Sequence, residues 1–299
     1  MSVLHAVRHG DPGAPPLLAI HGVTGHARRW DRLATERWGD RHVVAVDLRG
    51  HGFSTWAPPW SIEQVVEDVL DTLDHLGIDA TDVVGHSYGG AIGLHLLARA
   101  PQRVGRLVLL DPGFERDPQL MAAEADALMG RDGWATRAEA VDARSAGWLV
   151  TEPDRAGPAG RPAGRLADEG SAANAGPRAH PDVQAEIDRH LVAGPDGRFR
   201  FRFARAAVVT TFGELCRAVP VVPEPRPTLV VAASLAGVVT PSVVGHLSGQ
   251  LGPDLVVTTL DCGHMVFWDR FDDTADLVEA FLGPVAEPRR RVPLSRPSG

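Results

Sequence analysis

Ser87 lies at the centre of Gly85-His86-Ser87-Tyr88-Gly89-Gly90, between the apolar pair Val83-Val84 and the helical stretch Ala91–Ala100. A serine hydroxyl is a weak nucleophile until a neighbouring base takes its proton, and a strained strand-to-helix turn is a backbone that presents such a hydroxyl. The small residues two positions to either side give that turn room, and the helix N-terminus beyond favours developing negative charge. A base is available in His264, within Asp261-Cys262-Gly263-His264-Met265, after the apolar run Leu255–Leu260 and before the last helical stretch. Imidazole titrates near neutrality, so it can take the serine proton and return it to a leaving group. An oxyanion hole needs two backbone N–H donors, one from the residue after the nucleophile and one from the loop after an early strand. Here these are Tyr88 and, in His21-Gly22-Val23-Thr24-Gly25, Val23. Each motif alone also reads as a glycine-rich connection. Their order along the chain favours attack on a carbonyl through an acyl-serine.

The elements that must hold these groups are legible from hydrophobic patterning. Residues 17–21 (LLAIH) and 43–47 (VVAVD) are short apolar runs ended by glycine-containing turns, as buried parallel strands read. From Ser61 to Leu76 apolar residues recur at helical spacing, with Ser61 as N-cap and Gly77 as stop. Val83-Val84, the stretch 91–100 and Arg106–Leu110 then give strand, helix, strand. The alternation resumes at Thr228–Ala232, with a helix near Val243–Leu251, a strand at Leu255–Leu260 and a helix near Thr274–Leu282. That alternation predicts an α/β fold with a mostly parallel central sheet flanked by helices.

Between the halves, PQLMAAEADALM and PDVQAEIDRHLV (residues 181–192) read as helices separated by a Gly/Pro/Ala/Arg-rich stretch. The expected organisation is a core of residues 1–112 and 219–285, an inserted helical cap at 113–218 with a flexible loop near 151–181, and a tail at 286–299. That loop reads equally as a substrate-gating lid or as a segment without a role. The alternation of Phe and Arg in residues 197–203 (GRFRFRF) reads as a strand or an anion-facing edge, with solvated arginines the better reading.

The chain has 299 residues and 30 basic side chains, all arginine, against 38 acidic ones, for a formal net charge of −8. That balance argues against a nucleic-acid partner. Absence of lysine removes Schiff-base chemistry. Two cysteines, Cys216 and Cys262, make neither a disulfide scaffold nor a zinc site, and His21 with His26 lacks further clustered ligands, so no metal is expected. Without a signal-like or membrane-spanning apolar run, a cytoplasmic protein is expected, acting on a small molecule and needing no cofactor. Its oligomeric state is not readable.

Together HGVTG, DLRGHGFS at residues 47–54, GHSYGG and the GHMV around His264 resemble the α/β-hydrolase superfamily, over residues 1–112 and about 219–283. The resemblance implies the α/β-hydrolase fold with an inserted cap, and a serine nucleophile of the esterase or lipase kind. It also implies that Asp47, Arg49, Gly50, His51 and Gly52 form a structural turn. In the family's strand count an aspartate usually follows the seventh strand. Here the corresponding stretch is AASLAGVVTP, which puts Leu235 at the acid position, and leucine cannot orient an imidazole. The well-placed alternative is Asp111, after the sixth strand, and some superfamily members are similar in carrying the acid there. Asp-Pro is also a turn signal. Asp261 is a rival close in sequence to His264, and a Ser-His dyad assisted by water is a third arrangement.

Serine at position 87 favours an ester, a lactone or a related acyl bond over the chemistry that superfamily relatives perform with aspartate there. Thr24, Trp134, Trp148 and Phe212 are candidates for the substrate pocket, although most cap aromatics also suit a cap core. Three functions fit: a hydrolase of carboxylic esters or lactones, a biosynthetic acyltransferase, thioesterase or cyclase, and a non-catalytic ligand-binding relative. Leu235 is the feature that admits the third.

Overall fold

The computed structural model describes residues 2–146 and 187–283. The predicted loop at 151–181, Trp148 and the tail at 286–299 lie outside them.

Seven strands form one sheet: β1 (Ala6–His9), β2 (Pro16–Ile20), β3 (His42–Val46), β4 (Thr81–His86), β5 (Val104–Leu110), β8 (Thr228–Ala233) and β9 (Leu255–Leu260), in the order β1-β3-β2-β4-β5-β8-β9. Only β1 runs antiparallel, against β3, and it is an edge strand that the apolar runs did not announce. The other pairings are parallel, as the strand-helix alternation predicts. Alternate residues of a strand face opposite sides of a sheet. Leu18, Ile20, Val44, Val46, Leu107 and Leu109 accordingly pack on one side, against α2 (Ile62–His75), α3 (Tyr88–Arg99) and α7 (Pro241–Leu251). Leu17, Ala19, Val43, Ala45, Val108 and Leu110 pack on the other, against α1 (Asp31–Glu36), α8 (Val266–Asp269) and α9 (Phe271–Leu282). Burial on both faces is why these strands read as apolar runs. Helix α2 starts where expected, with Ser61 Oγ accepting the Gln64 N–H.

Between β5 and β8 lie α4 (Pro118–Gly130), α5 (Arg137–Ala146), a hairpin of β6 (Leu191–Ala193) and β7 (Phe199–Phe201), and α6 (Arg205–Glu214). The hairpin corrects the end of the expected helix over 181–192: residues 181–186 lie outside the described residues, 187–190 are helical as expected, and the chain is extended from Leu191. Its cause is the Gly194-Pro195-Asp196-Gly197 turn, in which Gly194 N–H donates to Arg198 O at 2.8 Å. The arginines of residues 197–203 serve this local structure. Arg198 donates to the carbonyls of Asp132 and Gly133, Arg200 grips Asp196 and Asp132, and the Arg202 guanidinium lies 4.4 Å from the Phe53 ring centroid. This inserted segment docks on the turn after β3, where Ala204 N–H meets Gly50 O and Gly52 N–H meets Arg202 O.

That turn is fixed from below by a buried pair. Arg49 donates through Nε and Nη2 to both oxygens of Asp68, at 2.6 and 2.7 Å, and Asp68 has no solvent exposure. Removing one partner leaves an uncompensated buried charge. Arg49→Met is therefore expected to cost about 3–5 kcal/mol of unfolding free energy in urea titration. A loss below about 1 kcal/mol would contradict this account of the turn.

Candidate active site

Ser87 sits between β4 and α3 with φ 54° and ψ −117°, a backbone that L-residues rarely adopt. The close approach explains the glycines: a Cβ on Gly85 would stand 2.2 Å from Gly89 O, and one on Gly89 would stand 2.2 Å from Ile20 O. The elbow is bonded to the end of β5. Ser87 N–H donates to Leu110 O at 3.0 Å, and Ser87 O accepts from Gly113 N–H at 3.1 Å. Asp111 lies between those two anchors.

Asp111 is fully buried, with φ 41°. Its N–H donates to Val231 O at 2.8 Å, and its Oδ1 accepts the Ala233 N–H at 3.0 Å. Its Oδ2 stands 2.6 Å from His264 Nδ1. A carboxylate accepts, so Nδ1 carries the proton, leaving the Nε2 lone pair as the ring's basic site. Leu235 is 37% exposed, and its N–H donates to Cys262 O. Asp261 accepts from Ser234 Oγ at 3.0 Å. Of the acidic candidates, Asp111 is the one in contact with His264.

His86, which sequence reading left without a role, supports the histidine loop. Its Nε2–H donates to His264 O at 2.8 Å, and the two ring centroids are 4.7 Å apart. Burial, and then the neighbouring His264, push the His86 pKa well below its ordinary value. Burial does the same to His21, and it lowers His51 to about 4.

Ser87 and His264 line one pocket of about 120 Å³ together with Val23, Thr24 and Phe212. The rest of the wall is mostly apolar, from Met121, Leu215, Val238 and Met265, with Arg29, Arg116 and Glu124 as polar points. Burial lowers the Arg116 pKa, and its Nη1 donates to Gly237 O at 3.1 Å. Met121, Leu215, Arg116 and Glu124 lie in no motif, so nothing in the sequence marked them for the pocket. Trp134 is not on this wall; it bridges Phe199 and stands edge-on to Phe201 at 5.4 Å, because the hairpin takes it into its own packing. Among the described residues, the N–H groups of Val23 and Tyr88 have no protein acceptor. No group of His, Cys, Asp and Glu among those residues is arranged to hold a metal ion, and no described helix is long and apolar enough to cross a membrane.

A strained serine between strand and helix, on a doubly covered parallel sheet, defines a class of protein, and the chain belongs to it: the alpha/beta hydrolase fold family, matched over residues 15–271. Its relatives in that family include a lipase and an esterase, and it is a serine hydrolase. Lipase LipV of Mycobacterium tuberculosis is 37% identical over 284 residues, covering 94% of this chain and 98% of the lipase. Esterase YbfF of Escherichia coli is 34% identical over 96 residues, 32% of this chain and 38% of the esterase. A solved structure described as a marine microorganism esterase superposes with a TM-score of 0.71 at 19% identity, over 94% of this chain and 100% of that one, a likeness of fold.

The buried histidines set a pH dependence of stability. His21, His51 and His86 titrate lower in the fold than their ordinary value of 6.5, so below that pH the unfolded chain binds more protons than the native one. Stability then falls as pH drops below 6.5, by up to about 1.4 kcal/mol per pH unit for each histidine, until the folded value is reached. Urea unfolding between pH 7.5 and 5 is expected to show this decline, with a shallower slope for His51→Phe. A flat profile over that range would contradict it.

Proposed function

We propose that this chain hydrolyses a carboxylic ester or related acyl bond through an acyl-enzyme on Ser87, with His264 as general base and Asp111 as the orienting acid. The observation that carries the reading is the 2.6 Å contact between His264 Nδ1 and the fully buried Asp111. A fixed Nδ1–H tautomer leaves Nε2 free to take the Ser87 proton as Oγ attacks the carbonyl carbon. The alkoxide that forms receives the N–H groups of Val23 and Tyr88, worth most in a site from which water is excluded. Its collapse expels the alcohol, which takes the proton from His264, and a water molecule then repeats the sequence on the acyl-serine. No step requires a cofactor.

The apolar wall, Phe212 included, suits an acyl chain, and the mycobacterial relative's name, lipase, supports an acyl ester as substrate. In this reading residues 1–112 and 219–285 are the catalytic core and 113–218 the cap that shapes its pocket.

The test is labelling with a fluorophosphonate, read by intact mass, beside turnover of a p-nitrophenyl ester. Wild type is expected to label once, and Ser87→Ala to lose both label and turnover while remaining folded. Asp111→Asn is expected to lower kcat by about 10⁴-fold, since it presents the wrong partner to Nδ1. Full turnover in Ser87→Ala would overturn the proposal, and full turnover in Asp111→Asn would remove Asp111 from it.

A further inference from the structure

Thr24 follows Val23 in the loop after β2, and its φ of 58° is in the left-handed region, unfavourable for a β-branched residue. Something must hold it there, and two buried arginines converge on it. Arg144, on α5 of the inserted segment, donates from Nη2 to Thr24 O at 2.8 Å and from Nη1 to Thr24 Oγ1 at 3.1 Å. Arg29 adds Nη2 to the same carbonyl at 3.2 Å. Arg144 is 5% exposed, and its guanidinium lies 4.4 Å from the Phe201 ring centroid, so hairpin packing fixes the clamp from its outer side.

The consequence travels through two rigid peptide planes. In a trans peptide the C=O and the following N–H point in opposite directions. Holding Thr24 O therefore aims the Gly25 N–H the other way, where it donates to Gly22 O at 3.0 Å. Gly22 O is held from a second side by His21 Nδ1 at 2.7 Å, while His21 Nε2 accepts the Leu48 N–H. Holding Gly22 O in turn aims the Val23 N–H away from it, and that N–H has no protein acceptor among the described residues. The chain of bonds also polarises in one direction. A cation on Thr24 O makes Gly25 N–H a stronger donor, and a stronger bond to Gly22 O makes Val23 N–H a stronger donor.

We propose that Arg144 is a positioning residue for the oxyanion loop, setting the aim and polarity of the Val23 N–H from a helix outside the sheet that carries Ser87. This rests on the reading of Val23 as an oxyanion donor. It means that the inserted segment contributes to transition-state stabilisation as well as to the shape of the pocket.

The experiment compares wild type, Arg144→Met, Arg144→Lys and Arg144→Ala in p-nitrophenyl butyrate turnover and in inhibition by a trifluoromethyl ketone, which forms a tetrahedral adduct on serine. Arg144→Met is expected to lower kcat by about 10- to 100-fold, less than outright loss of a donor, with KM within about twofold. The ketone is expected to weaken by a similar factor, and added guanidinium to restore part of kcat in Arg144→Ala. Arg144→Lys, which keeps the charge and one donor, is expected to fall in between and is the variant to read if Arg144→Met does not fold. Unchanged kcat in folded Arg144→Met or Arg144→Lys, or a rise in KM alone, would overturn the inference while leaving the proposed function standing. A wild type that neither turns over ester nor labels at Ser87 would remove both.

Discussion

A carboxylate without solvent exposure is the point on which the site's geometry hangs. Asp111 takes the Ala233 N–H on one oxygen and His264 on the other, while its own N–H caps the β8 ladder at Val231. Leu110, just before it, and Gly113, two residues after it, are bonded to Ser87 through Leu110 O and Gly113 N–H. One side chain thus ties the ends of β5 and β8, the histidine loop and, through its neighbours, the elbow. A carboxyl group buried in such a place is tolerable only when it is hydrogen-bonded, and the bond that Oδ2 accepts from Nδ1 orients the imidazole. The left-handed φ at Ser87 and at Asp111 is local strain, of order 1–3 kcal/mol each, that the surrounding bonds hold in place.

Much of this was written locally and therefore legible. The strands read as apolar runs because both faces of the sheet are covered, and Ser61 announced α2 because capping is a contact between near neighbours. The elbow was legible because its tight approaches admit only small residues. Asp111 was harder: sequence offered it through elimination of Leu235 and a resemblance, and the His264 contact spans 153 positions. A strand was among the readings of residues 197–203, but its hairpin partner Leu191–Ala193 was missed because a short apolar run after a helical one has no period of its own, although the Gly-Pro-Asp-Gly turn was there to be weighed. Trp134 was misplaced for a related reason, since aromatic content says nothing about which side of a segment faces a pocket. The support given by His86 to His264, and the reach of Arg144 to Thr24 across 120 positions, depend on tertiary placement that no spacing encodes.

The electrostatics follow a single pattern. Imidazoles buried beside the pocket are held neutral, chiefly by desolvation, so they serve as directional hydrogen-bonding groups. His21 uses one nitrogen as donor and the other as acceptor. His86 donates through Nε2 to a carbonyl, the same tautomeric logic applied to the loop of the proposed base. Positive charge near Ser87 comes instead from Arg29 and Arg116, since arginines keep their proton in such surroundings where a lysine would lose it more readily.

The solvent-facing Leu235 carries one more implication. In the usual arrangement the loop after the strand that is β8 here must hold a carboxylate against the histidine, so its conformation is chained to the chemistry. In the proposed triad that duty falls one strand inward, on Asp111. The loop is left to place Val238 on the pocket wall, with Gly237 O receiving Arg116. The wall residue Val238 and the proposed acid thus hang from different strands, so the wall can be recut without disturbing the contact that orients His264.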